Sequence, residues 1–234
     1  MSTILVTGGA GYIGSHAVLA LKNAGYEVIV LDNLSNGRRE LVEDVLQVKL
    51  IVGDLSDRSL LDDIFSTYNI TAVMHFAAYI AVGESVTDPA KYYQNNVAGT
   101  LTLLKAMLAA SVNKFIFSST CALYGVPKFV LLTEEHPQDP ISPYATSKWM
   151  VERILSDFDT AYNLKSVRFR YFNAAGADTN GLLGEERDRR PGDPPILVGS
   201  SDKATKILGW HPEYPNLNEI IAHAWQWHHN INNS

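Results

Sequence analysis

The 234-residue sequence predicts an α/β protein built on a doubly wound parallel sheet. Three observations carry the prediction. Short β-branched or apolar runs alternate with longer segments of helical period, the pattern of successive βαβ units. A glycine-spaced turn, Gly8-Gly9-Ala10-Gly11-Tyr12-Ile13-Gly14, joins the first run to the first helix. An acidic residue, Asp32, closes the second run.

Strands are predicted at residues 4–7, 28–31, 49–52, 72–75, 115–118 and 166–170. The helix at 12–23 stops before Gly25, a residue suited to a C-terminal cap. A helix at 57–66 carries Leu60, Leu61, Ile64 and Phe65 on one face. A longer one at 89–110 has Leu101, Leu104 and Met107 in its apolar stripe. Ser142-Pro143 reads as an N-cap followed by proline at the first helical position, opening a helix that runs through Lys148 and Met150 to about residue 161. Residues 174–200, rich in Gly, Pro and charge, predict no regular element, and a last helix is expected at 217–228.

Composition narrows the function classes. At 46% hydrophobic and 19% charged, the sequence has the balance of a globular protein with one large domain, or one domain and a small appendage. A net charge of −6 and the lack of a Lys/Arg run exclude nucleic acid and an acidic membrane surface as expected partners. The single cysteine, Cys121, rules out an intrachain disulfide. With no basic leader at the N-terminus and no apolar run near the ~18 residues of a membrane helix, the expectation is a soluble, cytoplasmic protein.

The glycine turn carries the first functional signal. In a strand–turn–helix unit the first glycines allow a tight turn and close approach to a pyrophosphate, and Gly14 allows helix and strand to pack closely. The helix N-terminus adds N–H groups and a positive dipole. A carboxylate at Asp32 can accept from both hydroxyls of an adenosine ribose and repels a 2′-phosphate, which predicts a Rossmann site for NAD rather than NADP. The neighbouring Arg38-Arg39 reads as a solvated charge pair. Asp54, after the third strand, has two open roles: contact with the adenine amino group, or N-cap of the next helix.

Tyr144 and Lys148 are four residues apart on a helix and share a face. An ammonium near a phenol favours the phenolate, as does a nicotinamide cation, so such a tyrosine can exchange a proton with a sugar hydroxyl near neutral pH. Ser118-Ser119-Thr120 ends the fifth strand at the carboxyl edge, where sheets of this kind bind ligands. One of these hydroxyls can bond a reacting oxygen or cap the strand end, and the residues alone leave the choice open. Cys121 reads as a small buried residue. His223, His228 and His229 lack a matching carboxylate or cysteine cluster, so no metal site is predicted.

Taken together, residues 7–15 and 32–37, Asn95-Asn96-Val97, residues 118–125, Tyr144 with Lys148, and Tyr171-Phe172-Asn173 resemble the extended short-chain dehydrogenase/reductases, in particular the members that epimerise UDP-sugars. His75-Phe76-Ala77-Ala78, Val82-Gly83-Glu84-Ser85 and Arg189-Arg190-Pro191-Gly192-Asp193-Pro194 are similar to the same group. The resemblance implies epimerisation of UDP-glucose/UDP-galactose at C4, by hydride removal to NAD and return through a 4-keto sugar. It implies Tyr144 as catalytic base, Lys148 as its orienting cation and Thr120 as the hydroxyl at the Ser/Thr position. Implied cofactor contacts are Gly8, Gly11, Tyr12, Ile13 and Gly14 at the turn, Asp32, Asn33 and Asn36 after the second strand, and Asp54 and Leu55 after the third. Phe76, Ala77, Ala78, Asn96, Ser118, Tyr144, Lys148 and Tyr171 complete that set. The UDP-sugar would meet Thr120, Tyr144, Asn173, Arg190 and Asp193. A homodimer is implied through helices at 89–110 and 144–161.

The sequence departs from that pattern at two places. Ile80 stands where some members of the family carry lysine. After Gly184-Glu185-Glu186 the chain passes directly to Arg187, where the family carries a stretch about the size of a small domain. The expected organisation is therefore a dinucleotide-binding domain at 1–177 and, at 178–234, the remnant of a truncated C-terminal substrate-binding part. Two alternatives stay open: another nucleotide-sugar dehydratase or decarboxylase, whose known Asp-Glu pair falls on Cys121-Ala122 here, and a catalytically silent NAD-binding module.

Overall fold

The computed structural model describes residues 2–129, 131–185 and 198–232. Six parallel strands form its sheet: β1 Thr3–Thr7, β2 Glu27–Asp32, β3 Lys49–Val52, β4 Ile70–His75, β5 Lys114–Thr120 and β6 Lys165–Tyr171. Their order is β3-β2-β1-β4-β5-β6, so the chain reverses direction of travel across the sheet between β1 and β4. That reversal opens a crevice at the carboxyl ends of the two strands.

Helices cover both faces, which is why the central strands read as continuous apolar runs. Every residue of β1 is buried. Ile4 and Val6 face one layer with Val28 and Val30, against Val18 of α1 (Tyr12–Asn23), Leu41 and Val42 of a π-helical turn, and Leu46 just after it. Leu5, Ile29, Leu31 and Val73 face the other layer. There they meet α2 (Arg58–Thr67), α5 (Thr100–Ala109) and α6 (Pro143–Tyr162) through Leu61, Leu104, Met107, Val151 and Leu155. The period-2 alternation of the strands thus sorts the core into two clusters.

Local signals end the helices where expected. Gly25, at φ +82°, follows α1, with Tyr26 N–H bonded to Leu21 O and Gly25 N–H to Lys22 O in a Schellman arrangement. Ser142 caps α6 by accepting from Ala145 N–H at 3.2 Å, with Pro143 in its first turn. Asp57 caps α2 by accepting from Leu60 N–H. Asp54 therefore is not the cap.

Elsewhere the structure is more broken than the periodicity predicts. The single helix expected at 89–110 is three pieces: α4 (Pro89–Tyr92), a π-helical segment (Tyr93–Gly99) and α5. A short α3 (Val82–Thr87), the π turn Leu41–Val45 and a 3₁₀ turn (Cys121–Tyr124) carry too few residues to show a period. Past β6 lie α7 (Asp202–Leu208) and α8 (Leu217–Asn232), of which only the second was predicted.

Candidate functional site

A cleft of about 770 Å³ opens at the carboxyl edge of the sheet, within the usual size range of a ligand site. On its floor lies the glycine turn. Gly8 takes φ +75°, and a Cβ added there would meet the Ala77 backbone at 2.4 Å. A Cβ on Gly14 would meet Gly8 O at 2.1 Å, so α1 can approach the turn only with glycine there. At Gly11 the nearest atom to an added Cβ is 3.5 Å away, and no side chain caps the start of α1. The first N–H groups of α1 thus face the cleft without a side-chain partner at its cap, a place suited to an anion.

Asp32, at the end of β2, is buried. Its Oδ2 accepts from Ala10 N–H at 3.0 Å and its Oδ1 from Leu34 N–H at 2.9 Å, leaving acceptor capacity on both oxygens. Burial pushes its carboxyl above the usual range, outweighing the two N–H groups that pull it down. Gly37 leaves the space beside it, since a Cβ there would lie 2.9 Å from Oδ1. Asn33 donates to Asp54 Oδ2 at 2.8 Å, and Ser56 bonds Asp54 Oδ1. Burial alone would raise the Asp54 carboxyl, but these hydrogen bonds together hold it below its ordinary value.

On the opposite wall, Tyr144 and Lys148 face the cleft from α6. Lys148 is buried, donates to Ser118 O at 2.8 Å and lies 4.9 Å from the Phe117 ring centre. Burial pushes its ammonium down to about 7. Phe117 stacks in turn on His75, whose ring bridges Thr7 Oγ1 and Thr100 Oγ1. Thr100 donates to Asn96 O, so it accepts from His75 Nε2–H, and Nδ1 accepts from Thr7. Burial, with Lys148 nearby, holds His75 neutral, its pKa near 3. Thr120 ends β5 on the cleft, its Oγ1 accepting from Ala122 N–H at 3.1 Å, so it caps the 3₁₀ turn as well as facing the site. Tyr171, pushed up to about 12 by burial, and the exposed Asn173 close the far rim.

Gly8, Gly11, Tyr12, Ile13, Gly14, Asp32, Asn33, Asn36, Asp54, Leu55, Phe76, Ala77, Ala78 and Ser118 also line this cleft. Asn96 stands behind it: Oδ1 accepts from Tyr79 N–H and Asn95, while Nδ2 donates to Tyr79 O and Ser147 Oγ. Its side chain ties Tyr79, in the segment after β4, to Ser147 of α6, and Asn95 faces the cleft instead. Arg190 and Asp193 lie outside the described residues. Sequence reasoning missed Arg38, Tyr79, Ile80 through Glu84, Gly184 and Glu185 on the lining. The segment after β4 could have been found from the carboxyl-edge rule, whereas Gly184 and Glu185 arrive by a long-range return of the chain. Among the described residues, no three His, Cys, Asp or Glu side chains gather as a metal site.

Comparison with known proteins gives a concordant result. The model of the NAD dependent epimerase/dehydratase family matches residues 4–189. The chain is similar to the UDP-glucose 4-epimerase of Rhizobium leguminosarum bv. trifolii, at 38% identity, covering 97% of each protein. It is similar to the structure of UDP-glucose 4-epimerase from Bifidobacterium longum in complex with NAD⁺ and UDP, at 31% identity and a TM-score of 0.92, covering 99% of each chain. The Brucella ovis enzyme in complex with NAD matches at 32% identity and a TM-score of 0.90, over 97% of this chain and 98% of that one. The Rhizobium alignment runs over 321 positions against the 234 residues of this chain, so that relative carries a long stretch with no counterpart in it.

Proposed function

The chain belongs to the NAD dependent epimerase/dehydratase family, and from that premise we propose that it interconverts UDP-glucose and UDP-galactose by NAD-dependent epimerisation at C4. The observation that carries the proposal is convergence. The glycine turn, Asp32, Tyr144, Lys148 and Thr120 come from four separate stretches of sequence and line one cleft at the sheet's reversal point.

The residues fit NAD. The open N-terminus of α1 at Gly11 would hold the pyrophosphate, and Asp32, with Gly37 clearing space beside it, would take the adenosine ribose hydroxyls. When bound, NAD supplies a hydride acceptor and donor for C4. The protein moves the proton: Tyr144 takes it from the 4-hydroxyl and returns it, while Thr120 hydrogen-bonds the reacting oxygen. Lys148, on the same helix face one turn away, orients Tyr144 and the nicotinamide ribose. Asn173 at the rim would contact the sugar nucleotide, and residues 178–234 are the remainder of its substrate-binding part. A dehydratase fits less well, because Cys121 and Ala122 put no carboxylate on that wall.

A homodimer through α4, α5 and α6 belongs to the same reading, supported by half-exposed Trp149 and Met150 on α6. The proposed location is the cytoplasm, supported by a cysteine count of one, which leaves the chain no intrachain disulfide to form. No described helix is long and apolar enough to cross a membrane.

Conversion of UDP-galactose to UDP-glucose by the purified chain, without added NAD, tests the proposal. Turnover establishes the activity and co-purification of the cofactor. The stretch lacking against the Rhizobium protein favours one second reading, an NAD-binding module without turnover. Retained NAD with no conversion at high enzyme concentration would establish it instead.

A further inference from the structure

Behind the reacting groups lies a buried ion pair that the proposed reaction does not use. Glu152 follows Tyr144 and Lys148 along one face of α6, two turns and one turn on. It is 4% exposed. Its carboxylate accepts from Arg170 Nε at 3.1 Å and Nη2 at 2.6 Å, reaching across from β6. It also accepts from the Ser119 hydroxyl at 2.5 Å. Arg170 extends the network through Nη1 to the Tyr124 hydroxyl at 2.8 Å and to Glu134 O at 3.2 Å. Its guanidinium sits 5.2 Å from the centre of the Tyr124 ring.

Two features argue that this network orients rather than merely stabilises. A buried ion pair is a weak stabiliser, because desolvating both ions offsets most of their attraction, and apolar pairs of similar volume often replace one without loss. The contacts that the pair makes beyond itself are also specific in place. Ser119 immediately precedes Thr120, and Tyr124 closes the 3₁₀ turn that Thr120 caps. Thr120 is therefore held from both sides by a network rooted in the helix that carries Tyr144 and Lys148. Neither Glu152 nor Arg170 is on the cleft lining.

We propose that Glu152, together with Arg170, is a positioning residue that fixes the Thr120 hydroxyl of β5 relative to the Tyr144 hydroxyl of α6. The proposal rests on the functional reading above for the roles of Thr120 and Tyr144. It assigns Glu152 no contact with substrate or cofactor. Removing the network loosens the 120–124 segment and misplaces one hydroxyl against the other while both remain present.

The test is the double substitution Glu152→Met with Arg170→Leu, beside Glu152→Gln. The apolar pair leaves neither ion buried alone, so the fold is kept. The expected result is retained NAD and an unchanged KM for UDP-galactose, with kcat lower by roughly 100-fold, the loss that a misplacement of about 1 Å brings. Backbone amide exchange should quicken across Cys121–Tyr124 and stay unchanged in β1. A folded double variant with parental kcat overturns the proposal, because a structural role alone would be satisfied by the apolar pair. If the double variant fails to fold, Glu152→Gln, which keeps volume and one acceptor, gives the same readouts, and parental kcat there overturns the proposal. Should the parent chain itself not turn over, the functional reading fails separately and amide exchange decides alone. Faster exchange confined to Cys121–Tyr124 supports the positioning role, and unchanged exchange overturns it.

Discussion

Before Tyr171 and after it, the molecule treats apolar side chains differently. The first region stacks a parallel sheet between two helical layers and buries every central strand on both faces. After β6, among the described residues, only Leu183 and Trp227 are buried apolar side chains. Leu183 packs into the layer against α1, and Trp227 lies over Gly184. Helix α7 buries nothing. Helix α8 turns Leu217, Ile221 and Trp225, spaced four apart, to solvent, Trp225 at 72% exposure. Apolar sequence alone does not make a core, because a helix needs a second surface to face. The first region supplies that surface from its own sheet, while the second has only one side covered.

The proposed function divides along the same line, which gives the sharpest way to probe it. Tyr144, the proposed proton-transfer group, belongs to the first region, and Asn173, the proposed sugar-nucleotide contact at the exposed rim, opens the second. Tyr144→Phe should lower kcat by about 10²–10⁴-fold with NAD still retained, since only the hydroxyl is removed. Asn173→Ala should raise KM for the sugar nucleotide and change kcat far less. Steady-state kinetics on both variants checks the contrast. An equal loss of kcat at Asn173 would mean that the rim takes part in the chemical step and that the division is wrong.

Stability gives a second comparison of the two regions. Phe115 is almost fully buried and packs against His75 and Phe117. Phe115→Ala should cost about 3–5 kcal/mol in urea unfolding. Trp227→Ala should cost less, at the bottom of that range or about 3 kcal/mol. It removes less enclosed packing, and it also removes an indole N–H that is buried without a hydrogen-bond partner. Equal losses from the two substitutions would show that the outer helix is as tightly coupled to the sheet as the strands are to each other.

The contrast also explains what the sequence made legible. All six strands and the glycine turn announce themselves because each signal is local: a run of branched apolar residues, a glycine spacing, an acid at a strand end. Tyr144 and Lys148 are likewise four residues apart on one helix. Signals that depend on hydrogen-bond register or distant partners were not readable. The π-helical segment Tyr93–Gly99 keeps a helical apolar pattern while shifting its hydrogen bonds, so it passed as plain helix. Asn96 sits on that segment and spends its amide on Tyr79, Asn95 and Ser147, which no spacing reveals. Glu152 and Arg170 meet across two elements. Asp54 shows a third kind of gap: both roles left open for it were single contacts, yet it holds a small network with Asn33 and Ser56.

The last effect expected concerns pH, and it also belongs to the first region. Burial pushes the Lys148 ammonium down to about 7, from an ordinary value of 10.5. Between these values the unfolded chain holds a proton that the folded chain has released. Stability of the cofactor-free chain should therefore climb as pH rises from about 7 toward 10, by at most about 1.4 kcal/mol per pH unit. Above about pH 10 the sign reverses through Tyr171, pushed up to about 12, whose folded phenol keeps a proton that the unfolded chain loses. Thermal unfolding across pH 7–11 should show a climb followed by a fall. Lys148→Met should flatten the climb and leave the fall. A climb that survives this substitution would have to come from titrating groups elsewhere, and if truncating α8 then removed it, the outer helix would carry buried charge that its exposed surface does not suggest.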